Sequence, residues 1–263
     1  MRRTVHGVLW VMQQVAVVLT GIVVYFGVRG LTQGQPDTAL DNAAEVLAFE
    51  DRIGLDVEHQ VQDLMQGRDW LIDAANWVYI WGHWPVITVV MVWLALRHRR
   101  YFLRLRNAMM ISGGIGLVIF ATYPVAPPRL AGLGLVDTVT ERSEAYRILQ
   151  PPGFVNQYAA MPSLHVGWDL LVGIMVASAA STVVLKWIGY LMPVLMASAV
   201  VLTANHYTVD GIAGSALALA GLWGAVRLER WREREPSGGV RAVVPAPRSE
   251  GQDRTARSAS LVD

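Results

Sequence analysis

Residues 188–210 read IGYLMPVLMASAVVLTANHYTVD. The apolar run ends at Thr203, and a second one, GIAGSALALAGLWGAV, starts at Gly211. An α-helix needs roughly 20 apolar residues to cross a hydrocarbon core about 30 Å thick. The stretch therefore reads as one membrane span ending, a short polar turn, and another span beginning. Ionisable groups this close to hydrocarbon are costly, so Asp210 at the start of a span calls for a partner or a task. His206 and Asp210 stand four residues apart and share a face on a helical turn.

The same block pattern runs through the chain. Of 263 residues, 53% are hydrophobic and 16% charged, with mean hydropathy +0.36. The apolar residues come in long blocks rather than alternating at the period of a soluble domain. The fold expected is all-α, a polytopic bundle of six transmembrane helices over residues 8–28, 71–96, 108–126, 164–182, 185–204 and 209–226. Residues 1–28 hold the first span, and 29–70 form an acidic extracytoplasmic segment. Residues 71–226 make a transmembrane core of five spans, and 227–263 a basic, disordered cytoplasmic tail. The first apolar block is too long for a signal peptide and no small-residue cleavage site follows it. The spans at 108–126 and 209–226 are rich in Gly, Ala and Ser, which let backbones approach closely, and so belong inside the bundle. The chain has no cysteine, which excludes disulfide staples, a thiol nucleophile and cysteine-ligated metal.

Arg and Lys set the orientation. Arg2, Arg3, the arginines of 97–106, Lys186 and those of the tail all fall on one side. Arg29, Arg52, Arg68, Arg129, Arg142 and Arg147 are left on the other. Both termini are therefore expected in the cytoplasm. Segment 29–70 has apolar residues near helical spacing, which predicts one or two amphipathic helices on the outer surface. Its many acids read as a solvated face with no catalytic part.

On this topology three distant segments bring polar residues to the outer side. They are Arg129 in TYPVAPPRL, Ser163 and His165 in AAMPSLHVGWD, and His206 with Asp210 in NHYTVD. An aspartate accepting from one imidazole nitrogen fixes the tautomer and leaves the other nitrogen as base or nucleophile. Asp169, one turn after His165, reads as structural.

PSLH at 162–165 and HYTVD at 206–210, preceded by APPR at 126–129, resemble the motifs of the type 2 phosphatidic acid phosphatase superfamily, K-x6-R-P, P-S-G-H and S-R-x5-H-x3-D. The closer resemblance is to its inositol phosphorylceramide synthase-like branch, where PPR, MPSLH and HY-x-x-D recur with an upstream N-x2-Y-x3-H. That pattern is matched here by Asn76, Tyr79 and His83, and the resemblance covers roughly 70–226. Two departures stand out: the superfamily lysine falls at Thr122, and the third-motif Ser and Arg fall at Ala199 and Val200. A transferring phosphoryl group needs its charge neutralised, so Arg129 carries more of that work, helped by Arg142, Arg147 or His83.

The resemblance implies a metal-independent phosphatase or phosphotransferase with no cofactor. His206, oriented by Asp210, attacks phosphorus and forms a phosphohistidine, while protonated His165 donates to the leaving oxygen. Arg129 and Ser163 bind the non-bridging oxygens. Asn76, Tyr79 and His83 are candidates for head-group contact or for hydrogen bonds between helices. The implied partner is a membrane lipid with a phosphate or phosphodiester head group. Water or an alcohol serves as acceptor, and no nucleic acid is involved. The site is expected to face outward from the plasma membrane of a bacterial cell.

Other readings are weaker. A divalent metal on the His-His-Asp set would be repelled by Arg129, and H-E-x-x-H is absent. The non-enzymatic alternative is a membrane transporter or scaffold with the outer polar cluster as a binding site, but transporters usually place their polar residues near the midplane rather than at one interface.

Overall fold

A computed structural model describes residues 2–31, 36–65, 67–142 and 156–234, and among these the regular structure is helical apart from one isolated bridge. Arg147 and the residues from Glu235 onward lie outside the described residues. The long helices are α1 (Arg2–Leu31), α4 (Asp69–Trp81), α5 (Trp84–Arg97), α6 (Arg99–Thr122), α8 (Leu164–Ala179), α9 (Val183–Leu202) and α10 (Thr208–Arg234). Between them come α2 (Pro36–Ile53), α3 (Glu58–Asp63), a 3-10 turn at Pro128–Leu130 and α7 (Thr138–Arg142).

Among the described residues four helices are long and apolar enough to cross a membrane: α1, α6, α9 and α10. The pair α4 and α5, bent by 44°, makes five if taken as one broken span. The expected six included residues 164–182. There α8 has only 16 residues, roughly 24 Å at 1.5 Å per residue and short of a hydrocarbon core. Ser163 caps its start, and the chain turns extended at Ala180. The break between α4 and α5 follows from Pro85, which has no N–H to offer and whose ring crowds the carbonyl four residues back. His83 sits in that break, with φ −97° and ψ −92°.

Backbones meet closely in the middle of the bundle. A Cβ on Gly189 would lie 2.7 Å from the Gly173 carbonyl oxygen, and one on Gly214 would collide with the Ser163 carbonyl. α8 therefore crosses α9 and α10 at contact distance, as small residues permit. α10 buries Gly214, Ala218, Gly221 and Ala225 at helical spacing, which places this small-residue helix inside. The outward surfaces carry exposed Leu9, Val23, Val89, Val184, Trp187 and Trp223, an apolar belt suited to lipid.

One end of the bundle is basic. Arg100 and Arg104 of α6 each donate from Nε to Glu229 of α10 at 2.6 Å, and the Arg99 guanidinium lies 4.1 Å over the Trp10 ring of α1. These ion pairs carry α10 as helix past residue 226, where the sequence reading ended the span and began a disordered tail. The other end gathers the starts of α8 and α10 and the ends of α6 and α9. α2 covers it, burying Ala39, Ala43, Val46 and Glu50 along one face. That face packs on Val125, Ala126, Ala160 and Tyr207. Ala126 N–H donates to the Ala39 carbonyl at 2.9 Å, and Val125 bridges Ala159 in parallel.

Candidate active site

The turn between α9 and α10 is a Schellman cap. Ala204 N–H donates to the Val201 carbonyl at 2.9 Å and Asn205 N–H to the Val200 carbonyl at 3.0 Å. Ala204 takes the left-handed position, φ +52°, which glycine usually fills and which costs an L-residue roughly 1–2 kcal/mol. Its carbonyl accepts from the Arg129 N–H at 3.0 Å, tying the 3-10 turn to the cap. The reversal turns His206 inward. Its Nδ1 lies 2.8 Å from the Ala160 carbonyl oxygen and 3.5 Å from Asp210 Oδ2. Both neighbours are acceptors, so Nδ1 carries the proton and Nε2 holds the lone pair.

The nearer partner of the imidazole is thus a backbone carbonyl and not the aspartate the sequence suggested. Asp210, fully buried, accepts from Tyr207 N–H at 2.9 Å through Oδ2. Its own carbonyl accepts from Ser163 N–H at 2.9 Å. It joins the starts of α8 and α10 as well as facing His206.

His83, His165 and His206 line one cavity together with Arg129. The His165 ring centroid is 5.6 Å from that of His206 and 4.4 Å from that of His83. Tyr79, also lining the cavity, stacks on His165 at 4.7 Å. Arg129 donates from Nε to Asp137 Oδ2 at 3.0 Å, and Asp137 Oδ1 accepts from Thr140 N–H at the head of α7. A guanidinium has five N–H donors in a rigid fork, so the Asp137 bond aims it, and among the described residues its terminal nitrogens are left for an anion.

The sequence matches the PAP2 superfamily over residues 44–224, more than half of the chain and including every residue of this cluster. The chain belongs to the PAP2 superfamily. No curated protein and no solved structure gives a significant match. PAP2 superfamily members are generally phosphatases or phosphotransferases, and membership at this level suggests a membrane lipid phosphatase.

Against the PAP2 pattern, not every expected residue reaches the cavity. Ser163 is fully buried and caps α8, its Oγ accepting from Val166 N–H at 3.4 Å; it is not among the lining residues. Asn76 exchanges two hydrogen bonds with Thr138 at 2.9 and 3.0 Å, an amide committed to α7 rather than to a head group. Arg142 is half-exposed and pairs with Asp69 at 2.8 Å, away from the cavity. Thr122, where the PAP2 lysine would fall, is exposed and returns its hydroxyl to the Val118 carbonyl. Val200, where the motif arginine would fall, is buried in an apolar cluster. Tyr79 and His83 do line the cavity.

Several buried residues around this cavity escaped the sequence reading. Asp169 partners His83, with Oδ1 2.8 Å from Nδ1, because the break before α5 swings His83 toward α8. Glu50 and Glu58 are fully buried, contrary to the expected solvated acidic face. Glu50 Oε1 accepts from Val209 N–H at 2.6 Å. Glu58 Oε1 accepts from the Thr208 N–H and hydroxyl at 3.1 and 3.3 Å. The two acids cap the first turn of α10, whose orphan donors favour carboxyl oxygens. Burial, reinforced by the charges of Glu58 and Asp210 and opposed by the Val209 bond, pushes the Glu50 carboxyl up to about 8. One signal was legible: Ala39, Ala43, Val46 and Glu50 follow helical spacing, which puts Glu50 on the apolar stripe.

Proposed function

We propose that the protein is a lipid-phosphate phosphatase or phosphotransferase that works through a phosphohistidine on His206. The observation carrying this reading is the tautomer: with Nδ1–H held at the Ala160 carbonyl, 2.8 Å away, Nε2 is left as a nucleophile in a cavity shared with Arg129 and His165. His206 Nε2 attacks phosphorus, the bond to the leaving oxygen breaks, and His165 gives that oxygen its proton. Arg129, aimed by Asp137, neutralises the non-bridging oxygens. An acceptor hydroxyl then takes the group from His206. Ser163 acts by starting α8 and so setting His165 in place. Asp210 balances the charge that develops on His206.

The MPSLH and HY-x-x-D motifs, with Tyr79 and His83 on the cavity, favour the inositol phosphorylceramide synthase-like branch and hence an alcohol acceptor. Counting the short α8 with α1, the bent α4–α5 pair, α6, α9 and α10 gives six spans. The separation of the basic end from the histidine end, together with the distribution of Arg and Lys, favours cytoplasmic termini and an outward-facing site in the plasma membrane of a bacterial cell.

The test is phosphate or head-group release from a panel of lipid phosphates and phosphoinositides by purified protein in detergent with EDTA, with and without alcohol acceptors. EDTA-resistant release lost in His206→Ala supports the reading. Release abolished by EDTA, or none from any lipid, would reject it.

A further inference from the structure

We propose that His83, held by Asp169, is the general base of the second half-reaction, taking the proton of the acceptor hydroxyl while His165 serves the leaving group of the first. The assignment rests on the phosphohistidine reading above.

His83 is built as a fixed base. Its Nδ1 lies 2.8 Å from Asp169 Oδ1, with side chains 3% and 2% exposed. A carboxylate at Nδ1 keeps the proton there and leaves the lone pair on Nε2. The ring lies nearly parallel to Trp168, at 8° and 6.1 Å between centroids, with Trp84 edge-on at 5.3 Å. Position in the break between α4 and α5 lets it face the cavity rather than pack along a helix. A buried His–Asp pair against tryptophan, at the wall of a reaction cavity, goes unused if His165 alone handles both protons.

The proton accounting gives it a task. In the first half His165 gives its proton to the leaving oxygen and becomes neutral. In the second, the acceptor oxygen bonds to phosphorus and the P–N bond breaks, its electron pair returning to Nε2 of His206. The acceptor proton goes to Nε2 of His83, and the resulting imidazolium is stabilised by Asp169. The His165 ring, 4.4 Å away between centroids, takes that proton in turn, which readies both residues for the next cycle. Acid and base then stand on separate segments, His165 on α8 and His83 in the break between α4 and α5, so donor and acceptor have separate approaches to phosphorus.

The test compares wild type with His83→Gln and Asp169→Asn on p-nitrophenyl phosphate and on phosphatidic acid in detergent micelles, by rapid mixing and at steady state. His83→Gln should release a burst of one nitrophenol per enzyme at close to the wild-type rate. Its steady-state rate should then fall a hundredfold or more. Asp169→Asn, which keeps the ring in place, should show the same burst with a smaller fall. The burst amplitude counts folded, competent enzyme, so misfolding cannot imitate the result. Parallel loss of burst rate and steady-state rate, or an unchanged steady-state rate in His83→Gln, would overturn the assignment. Undiminished turnover in His206→Ala, or none by wild type on either compound or on the lipid panel with and without alcohol acceptors, would instead remove the phosphohistidine reading and this one with it.

Discussion

His206 donates from Nδ1 to the carbonyl of Ala160, 46 residues earlier and 2.8 Å away, while the carboxylate of Asp210 stands 3.5 Å from the same nitrogen. A carbonyl cannot change its hydrogen-bonding sense, so this bond fixes the tautomer whether or not the aspartate is charged. In a Ser-His-Asp triad, replacing the aspartate by asparagine costs about 10⁴ in rate because the tautomer is lost. Here Asp210→Asn should cost less, roughly 10- to 100-fold in kcat, since only charge stabilisation goes. His206→Ala should abolish turnover. Comparable losses in the two variants, measured on the same lipid, would mean that Asp210 sets the tautomer after all.

Arg129 is held at both ends, by its N–H on the Ala204 carbonyl and by Nε on Asp137. Lysine keeps the charge but loses the fork. Arg129→Lys should therefore raise the KM for lipid phosphate by about tenfold or more, in line with roughly 1.5–3 kcal/mol for a charge-assisted hydrogen bond. Asp137→Asn should raise KM less. Unchanged KM in Arg129→Lys would place the phosphate elsewhere.

Glu50 supplies a pH dependence of stability. Its carboxyl is pushed from 4.5 up to about 8 in the fold, so between those values the folded chain holds a proton that the unfolded chain has released. Stability therefore falls as pH rises through that window. Thermal unfolding in detergent from pH 5 to 9 should show this decline, and Glu50→Gln, neutral throughout, should flatten it. Equal slopes in the two proteins would show that Glu50 ionises normally.

Gly214 and Gly211 offer a paired test of packing. A Cβ at Gly214 would collide with the Ser163 carbonyl, whereas one at Gly211 would meet Val166 at an ordinary 3.6 Å. Gly214→Ala should destabilise by about 1–3 kcal/mol and lower activity, because Ser163 starts the helix that carries His165. Gly211→Ala should do neither. Melting temperature and turnover measured together decide it, and a tolerated Gly214→Ala would rule out so close an approach of α8 and α10.

What the sequence settled by itself was whatever hydropathy, charge and motif spacing encode locally. Apolar blocks near 20 residues predicted the helices, and Gly and Ala content placed α6 and α10 inside. The motifs singled out Arg129, His165, His206 and Asp210 before any geometry was known. Proline 85 offered a local cue to the break at His83, and the spacing through Ala39, Ala43 and Val46 a cue to buried Glu50. Tertiary structure alone decided partners. The carbonyl of Ala160 has no side-chain signature, and it meets His206 beside the bridge between Val125 and Ala159. Asp169 meets His83, and Glu50 and Glu58 meet Val209 and Thr208, across separations of 86 to 159 residues. Periodicity reports which face of one helix is apolar. Which polar group ends up opposite another depends on how helices cross and break, and that is settled only when backbones pack against one another.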